Sequence, residues 1–175
     1  MRTYLLMAAA LAAGGVAQAA QPADRAACEA AFRAYDNAVW MFPDNQWGDD
    51  RPVVRANVAR PAQRLIRGGC LTRSADLDGL PALAQRLAPF AIRESGPAIR
   101  PATVELGIVT GIWDEARVTA FFRGLGYRSR GVGAMTLGRR LFIGPFTSQG
   151  ALDQALEVAR QAGFVAPHVA EHVRF

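Results

Sequence analysis

The sequence contains no lysine, only two cysteines and only two histidines. All 20 basic residues are therefore arginines, and with 15 acidic residues they give a formal net charge of +5. The lack of lysine is most simply explained by the codon bias of a GC-rich genome. No recognised nucleophile or metal motif accompanies the few histidines and cysteines. We therefore predict no cofactor and no catalytic residues.

A hydrophobic run long enough to span a bilayer is also missing, since that takes about 20 strongly apolar residues. The longest apolar run lies near the start, follows one arginine, and precedes small residues at Ala17 and Ala19. This pattern predicts a secretory signal peptide over residues 1–20. Cleavage near Ala19 or Ala20 would release the rest of the chain without a transmembrane anchor, so we expect a periplasmic protein.

Residues 21–92 are predicted to form a helical module. Asp24 is placed to cap a first helix whose apolar residues recur at spacings of three and four until Trp40. The inward positions predicted for this helix are Ala27, Cys28, Ala31, Ala34, Tyr35 and Ala38. A loop, a second helix and a third helix over residues 80–90 follow. Two prolines, a glycine and no periodicity then predict a linker over residues 93–102.

The two cysteines, Cys28 and Cys70, are predicted to form a disulfide. Two thiols in a small exported protein are more often bonded than free. A catalytic or redox role is the alternative, but the sequence has no Cys-x-x-Cys motif and no histidine near either cysteine.

Two features of the module allow more than one interpretation. The arginines from Arg51 to Arg73 alternate with aliphatic residues at helical spacing, which favours a solvated helix face over a polyanion site. Nucleic acid is not expected as a partner outside the cytoplasm. The aromatic residues Trp40, Phe42 and Trp47 are predicted to be core residues, and a sugar-stacking platform is the alternative.

The rest of the chain repeats itself at an offset of 37 residues, which aligns Gly107 with Gly144 and Gly126 with Gly163. Each half is predicted to form a strand, a helix and a strand. Residues 103–175 would then have the order βαββαβ of a ferredoxin-like split sandwich, with both helices on one face of the sheet. The predicted fold class of the whole chain is α+β.

Strand periodicity divides the sheet residues between two faces. The residues predicted on the helix side are Val104, Leu106, Ile108, Leu141 and Ile143. The residues predicted on the open side are Glu105, Gly107, Arg140, Phe142 and Gly144. Hydrogen-bonding groups around an apolar ring on this open face suit a polymer with hydroxyl and amide groups, and a merely solvated face is the alternative. Gly138 and Arg139 are predicted to form a tight hairpin turn, and residues 165–175 the last strand.

The segment LFIGPFTSQGALDQALEVARQAGF resembles the second half of a SPOR (sporulation-related repeat) domain. The family pattern is a strand ending in V-G-P-F, then Ser or Thr, an Ala-rich helix and a closing A-G-F/Y. VELGIV, the helix ending in GLGY and the final strand are similar to its first half and its end, so the resemblance covers about residues 103–175. It implies a bacterial envelope protein that binds peptidoglycan glycan strands without stem peptides on the open sheet face, often at division septa.

The resemblance implies roles in glycan binding for Glu105 and Arg140. Glu105 stands where the family usually has Gln, Ile108 where Ser is common, and Gly138 where an aromatic residue often precedes the basic one. The candidate glycan-binding residues are Glu105, Gly107, Arg140 and Phe142.

Three functions are therefore considered. The first is a non-catalytic glycan-binding protein of the cell envelope that also contacts envelope or divisome proteins. The second is a periplasmic interaction or scaffold module without glycan binding, and the third is an enzyme with a catalytic N-terminal module. His168 and His172 have the spacing of a helical metal pair, but the segment alternates like a strand and offers no third ligand, so no metal is predicted.

Overall fold

The order of helices and strands confirms the predicted α+β class. A computed structural model describes residues 24–40, 52–87, 94–134 and 136–173. The predicted signal peptide lies outside these residues. The elements in chain order are α1 (Arg25–Trp40), α2 (Pro52–Arg67), α3 (Leu80–Leu87), β1 (Ala98–Val109), α4 (Asp114–Gly124), β2 (Ser129–Gly133), β3 (Arg139–Ser148), α5 (Gln149–Gln161) and β4 (His168–Val169). None of the helices in the described ranges is long and apolar enough to cross a membrane.

The first two helices are joined by the predicted disulfide. Cys28 on α1 bonds Cys70, which follows α2, across 42 residues of sequence. Asp24 caps α1 as expected, because its Oδ1 accepts a hydrogen bond from the Ala26 amide at 2.9 Å. The helix α2 continues through Pro61, and α3 begins at the predicted residue.

The four strands form one antiparallel sheet in the order β2-β3-β1-β4. Its edge strand β4 contains only His168 and Val169, so the prediction of a strand over residues 165–175 is wrong in length. Pro167 lies directly before β4 and has no amide hydrogen to donate to a neighbouring strand. The tight turn predicted at Gly138 and Arg139 is also corrected, since β2 ends at Gly133 and Arg139 already belongs to β3.

The two glycines aligned by the repeat, Gly107 and Gly144, have the same backbone conformation. Both adopt a φ of 136°, a region that L side chains rarely occupy, and each lies next to a register shift in the pairing of β1 with β3. The other aligned pair, Gly126 and Gly163, follows the ends of α4 and α5 with φ of 88° and 95°. The sequence repeat is therefore also a repeat of backbone geometry.

The bulge at Gly107 corrects one predicted orientation. An extra residue in a strand reverses the alternation of side chains beyond it. Val104 and Leu106 face α4 and α5 as predicted, but Ile108 belongs to the core under α1 and Val109 takes the helix side. The prediction for Ile108 is wrong because strict alternation assumed a regular strand.

Helices cover both faces of the sheet. The core on one face joins the sheet to α3, α4 and α5, and its largest side chains are Phe121, Phe122, Tyr127, Phe146 and Phe164. The core on the other face joins it to α1 and α2, and its largest side chains are Phe32, Tyr35, Leu65, Ile108 and Leu137. The sheet is thus the middle of three layers.

The N-terminal helices are also tied to the sheet through the backbone. The Thr72 amide donates to the Ile108 carbonyl at 2.9 Å, and the Thr110 amide donates to the Thr72 carbonyl at 3.2 Å. The predicted linker over residues 93–102 is corrected in its second half, because β1 begins at Ala98. The predicted module of residues 21–92 therefore shares its core and part of its backbone pairing with the sheet.

Candidate functional site

The sheet face predicted to be open is covered by α1. Glu105 and Phe142 are fully buried, and Arg140 is 3% exposed. Gly107 is buried as well, and a Cβ built on it would lie 3.5 Å from the Phe32 ring of α1. The expectation of an open face is wrong, because α1 and α2 supply a second apolar layer on that side. The glycan-binding role of these four residues stays a prediction, and it now requires α1 to leave the sheet.

The helix α1 covers this face with one continuous stripe. Its buried residues are Cys28, Ala31, Phe32, Tyr35, Asp36 and Val39. Their spacing of three and four residues places them on a single side of the helix. The sequence predicts Cys28, Ala31 and Tyr35 on this side but not Phe32, Asp36 and Val39. Its prediction of an inward Ala27 is wrong, because this residue is exposed in the first turn of α1. An acid at a core position of the stripe is the signal that could have revealed Asp36 as a buried partner of a cation.

Arg140 lies at the centre of a buried ion network between the sheet and α1. Its Nε and Nη2 donate to Oε1 and Oε2 of Glu105 at 3.1 and 2.8 Å. Its Nη2 also donates to Oδ1 of Asp36 at 2.7 Å. The guanidinium thus forms two parallel hydrogen bonds with the Glu105 carboxylate. This bidentate arrangement fixes the orientation of the two side chains and also stabilises the pair. The groups expected to bind glycan thus bind each other and α1.

Aromatic rings enclose the guanidinium. Its Cζ lies 5.0 Å from the centre of the Phe142 ring and 5.7 Å from that of Tyr35, within the range of cation–π attraction. Burial alone would lower the pKa of Arg140, but the charges and hydrogen bonds of Glu105 and Asp36 hold it above its usual value. Burial raises the pKa of Tyr35 to about 12. The positive charge of Arg140 opposes this rise, and the negative charge of Glu105 adds to it. Both side chains therefore keep one protonation state at neutral pH.

The two histidines have separate surroundings. His168 is buried beside Phe32, and its Nδ1 donates to the Ala166 carbonyl at 2.9 Å, which turns Nε2 to within 3.8 Å of Oε2 of Glu105. His172 contacts Oδ1 of Asn37 at 3.1 Å and stacks on Trp40, with ring centres 5.0 Å apart. The described residues contain no group of three or more His, Cys, Asp or Glu side chains that could hold a metal ion.

The predicted aromatic cluster is only partly described. Trp40 is partly exposed and lies on His172 at the end of α1, so its position differs from the core position that we predicted. Phe42 and Trp47 lie outside the described residues. The contact between Trp40 and His172 adds one more attachment of α1 to the segment after β4.

Two exposed apolar residues before α4 form a surface feature that was not predicted from the sequence. Ile112 and Trp113, between β1 and α4, are 90% and 74% exposed. The loop that carries them is fixed by Asp114, whose Oδ2 accepts hydrogen bonds from the Gly111 amide at 2.9 Å and the Ser74 hydroxyl at 2.8 Å. Two large apolar side chains are thus presented to solvent on a well-anchored loop.

Comparison of the chain with family models, with curated proteins and with solved structures gives no match.

Proposed function

We propose that this protein is an exported, non-catalytic interaction protein of the bacterial envelope that acts through protein–protein contacts rather than through glycan. The observation that carries the proposal is the buried network of Arg140, Glu105 and Asp36 under α1. A glycan strand would need the guanidinium of Arg140 and the ring of Phe142, and both lie buried under α1. This favours the interaction module over glycan binding, the other non-catalytic alternative.

The proposal includes a SPOR-like domain of ferredoxin-like topology as the C-terminal part. Support comes from the strand order β2-β3-β1-β4, with β1 and β3 in the middle, and from α4 and α5 sharing one core with the sheet. The matched conformations of Gly107 and Gly144 support an origin of both halves in one repeated unit. In this proposal α1 and α2 are a permanent third layer on the face that the family leaves open.

The surface proposed for partner contact is the pair Ile112 and Trp113. Tryptophan is among the residues that dominate binding energy in protein interfaces, where it fills pockets of the partner. Single exposed apolar residues are common on monomers, but two large adjacent ones on an anchored loop are a better contact point. Protein partners in the envelope fit this surface because they can bury both side chains.

Site-specific photo-crosslinking in the producing bacterium tests this surface. A photoreactive phenylalanine analogue replaces Trp113 in one strain, and the exposed Gln161 of α5 in a matched control strain. We expect discrete adducts with envelope proteins from position 113 and none from position 161. Identical adduct patterns from the two positions, or no adduct from position 113, would contradict the proposal.

Glycan binding by the sheet face is the second candidate function. The observation in its favour is that Glu105, Arg140 and Phe142 do lie together on one side of the sheet, as the SPOR resemblance implies. The face would have to be freed, and Asp36→Arg should free it, because a cation opposite Arg140 repels it. The matched control is Asp153→Arg on the exposed side of α5.

A pulldown on peptidoglycan sacculi, intact or treated with an amidase that removes stem peptides, separates the two candidates. The interaction module predicts low retention of the original chain on both kinds of sacculi. Retention of the original chain that rises with amidase treatment would contradict it and favour glycan binding. If amidase treatment raises the retention of Asp36→Arg but not that of Asp153→Arg, the glycan site belongs to a form in which α1 has left the sheet.

A further inference from the structure

The exposed side of α2 carries a row of arginines. The helix buries Val54, Val58 and Leu65, so its opposite side faces solvent. Residues on that side recur at spacings of three and four, which places them in one line along the helix. In order they are Val53, Asn57, Arg60, Arg64 and Arg67, and we call these five residues the α2 row.

The charges of this row are not compensated within the helix. α2 contains no acidic residue. Among the residues that the structure describes, Arg60, Arg64 and Arg67 form no ion pair. Like charges four apart on a helix destabilise it, although a position in the last turn favours Arg64 and Arg67 through the helix dipole. Arg60 lies in the middle of α2 and gains nothing from the dipole, so a bound anion would stabilise this part of the row.

The surface around these arginines is shaped to admit such a group. A shallow depression of about 400 Å³ is lined by Ala59, Arg60, Gln63, Arg64 and Arg67. The small side chain of Ala59 leaves space beside the guanidinium groups. Val53, at the start of the row, adds an aliphatic side chain that is 53% exposed. The row therefore combines three cations with one exposed apolar group.

We propose that the α2 row docks on an anionic phospholipid surface. The three arginines bind headgroup phosphates, and Val53 contacts the boundary between the headgroups and the acyl chains. Single-stranded nucleic acid is the less suitable polyanion, because α2 has no aromatic residue on which a base could stack. This surface is separate from Ile112 and Trp113, and its lipid binding does not depend on the proposed protein contacts.

Co-sedimentation with lipid vesicles tests the proposal. The chain without residues 1–20 is mixed with vesicles of phosphatidylglycerol and phosphatidylcholine, or of phosphatidylcholine alone, at an ionic strength of about 0.15 M. The test variant is R60Q/R64Q/R67Q. The matched control is R86Q/R100Q/R123Q, which removes the same charge from exposed positions on three other elements. Thermal unfolding of both variants checks that they are folded.

We expect binding to the anionic vesicles only, with a partition coefficient about 100-fold lower for R60Q/R64Q/R67Q, since each arginine near an anionic surface contributes about 1 kcal/mol. The control should change it by about threefold or less. Equal losses in the two variants would mean that only net charge matters and would overturn the proposal. No binding of the original chain to anionic vesicles, or tighter binding to single-stranded DNA with the same dependence on the arginines, would overturn it too.

Discussion

Arg140 of β3 and Asp36 of α1, which are 104 residues apart in sequence, form a buried ion pair with 2.7 Å between Nη2 and Oδ1. The pair joins the middle of the sheet to the helix that covers it. Glu105 of the neighbouring strand holds the other side of the same guanidinium. The covered sheet face thus holds a polar network inside an apolar layer, and Arg140 is the cation that both carboxylates contact.

Replacing Arg140 should strongly destabilise the fold. Arg140→Met leaves two carboxylates in the interior without a cation, and breaking a buried ion pair in this way costs about 3–5 kcal/mol. Urea denaturation measures the loss in the free energy of unfolding. The matched control is Arg139→Met, which removes a half-exposed pair with Glu115 and should cost about 1 kcal/mol or less.

The triple variant D36L/E105L/R140M should recover most of that loss. Apolar residues of similar volume can replace a buried ionic group with little or no cost once every charge is removed. Equal stability of Arg140→Met and Arg139→Met would show that Arg140 is exposed to water in solution.

Removing the disulfide should lower the free energy of unfolding by about 4 kcal/mol, because the bridge restricts a long loop in the unfolded chain. The variant is C28A/C70A, and the loop spans 42 residues of sequence. Urea denaturation of the original chain with reductant should match that of the variant, and reductant should not affect the variant. Labelling of the original chain by a thiol reagent before reduction would contradict the bridge.

Stability should decrease at high pH. Burial raises the pKa of Tyr35 and that of Tyr127 from 10.0 to about 12. Because the folded-state pKa lies above the unfolded value, the stabilising contribution is complete below about pH 10 and is lost as the pH rises towards about 12. Phenolate absorbance and circular dichroism are recorded together on the chain without residues 1–20. The tyrosines should ionise only at the pH values at which the circular dichroism shows unfolding.

The variant Tyr127→Phe isolates Tyr35 in this titration. Tyr127 has a buried hydroxyl without a hydrogen-bond partner among the described residues, so its removal should not reduce stability. If Tyr35 ionises near pH 10 while the circular dichroism is still that of the folded protein, the burial of Tyr35 under α1 is contradicted.

Gly107→Ala should cost about 1–3 kcal/mol, because alanine at a φ of 136° is strained. Steric contact contributes little, since the added Cβ would lie at an ordinary 3.5 Å from Phe32. Gly124→Ala at the end of α4 is the matched control, with open space around the added methyl group, and should raise stability by about 0.5–1 kcal/mol. Denaturation midpoints that fall equally in both variants would argue against the bulge.

The local features of the fold could be predicted from the sequence. Asp24, Cys28 and Cys70 follow rules of capping and of thiol pairing that depend on few neighbours, and the repeat of Gly107 in Gly144 marks equivalent backbone positions. The face on which Ile108 lies could not be predicted, because a bulge is a property of the pairing between two strands. A single strand's alternation does not reveal it.

The covered sheet face could not be predicted in the same way. Alternation along the strands predicts the side of the sheet on which Glu105, Arg140 and Phe142 lie, but their burial depends on a helix that precedes the sheet by many residues. The amphipathic stripe of α1 shows that the helix needs a partner and does not show which one. The clearest signal in the sequence for this packing is Asp36, an acid within that stripe. A buried acid needs a cation, and Arg140 lies on the sheet face that was predicted to be open.

The most direct test of the covered sheet face is a proton nuclear Overhauser measurement between Phe32 of α1 and His168 of β4, whose ring centres lie 5.8 Å apart. The account predicts a cross-peak between the two rings and another from the Phe32 ring to the α protons of Gly107. The absence of both cross-peaks, with Phe32 resonances at the positions of a solvated ring, would contradict the placement of α1 over the sheet.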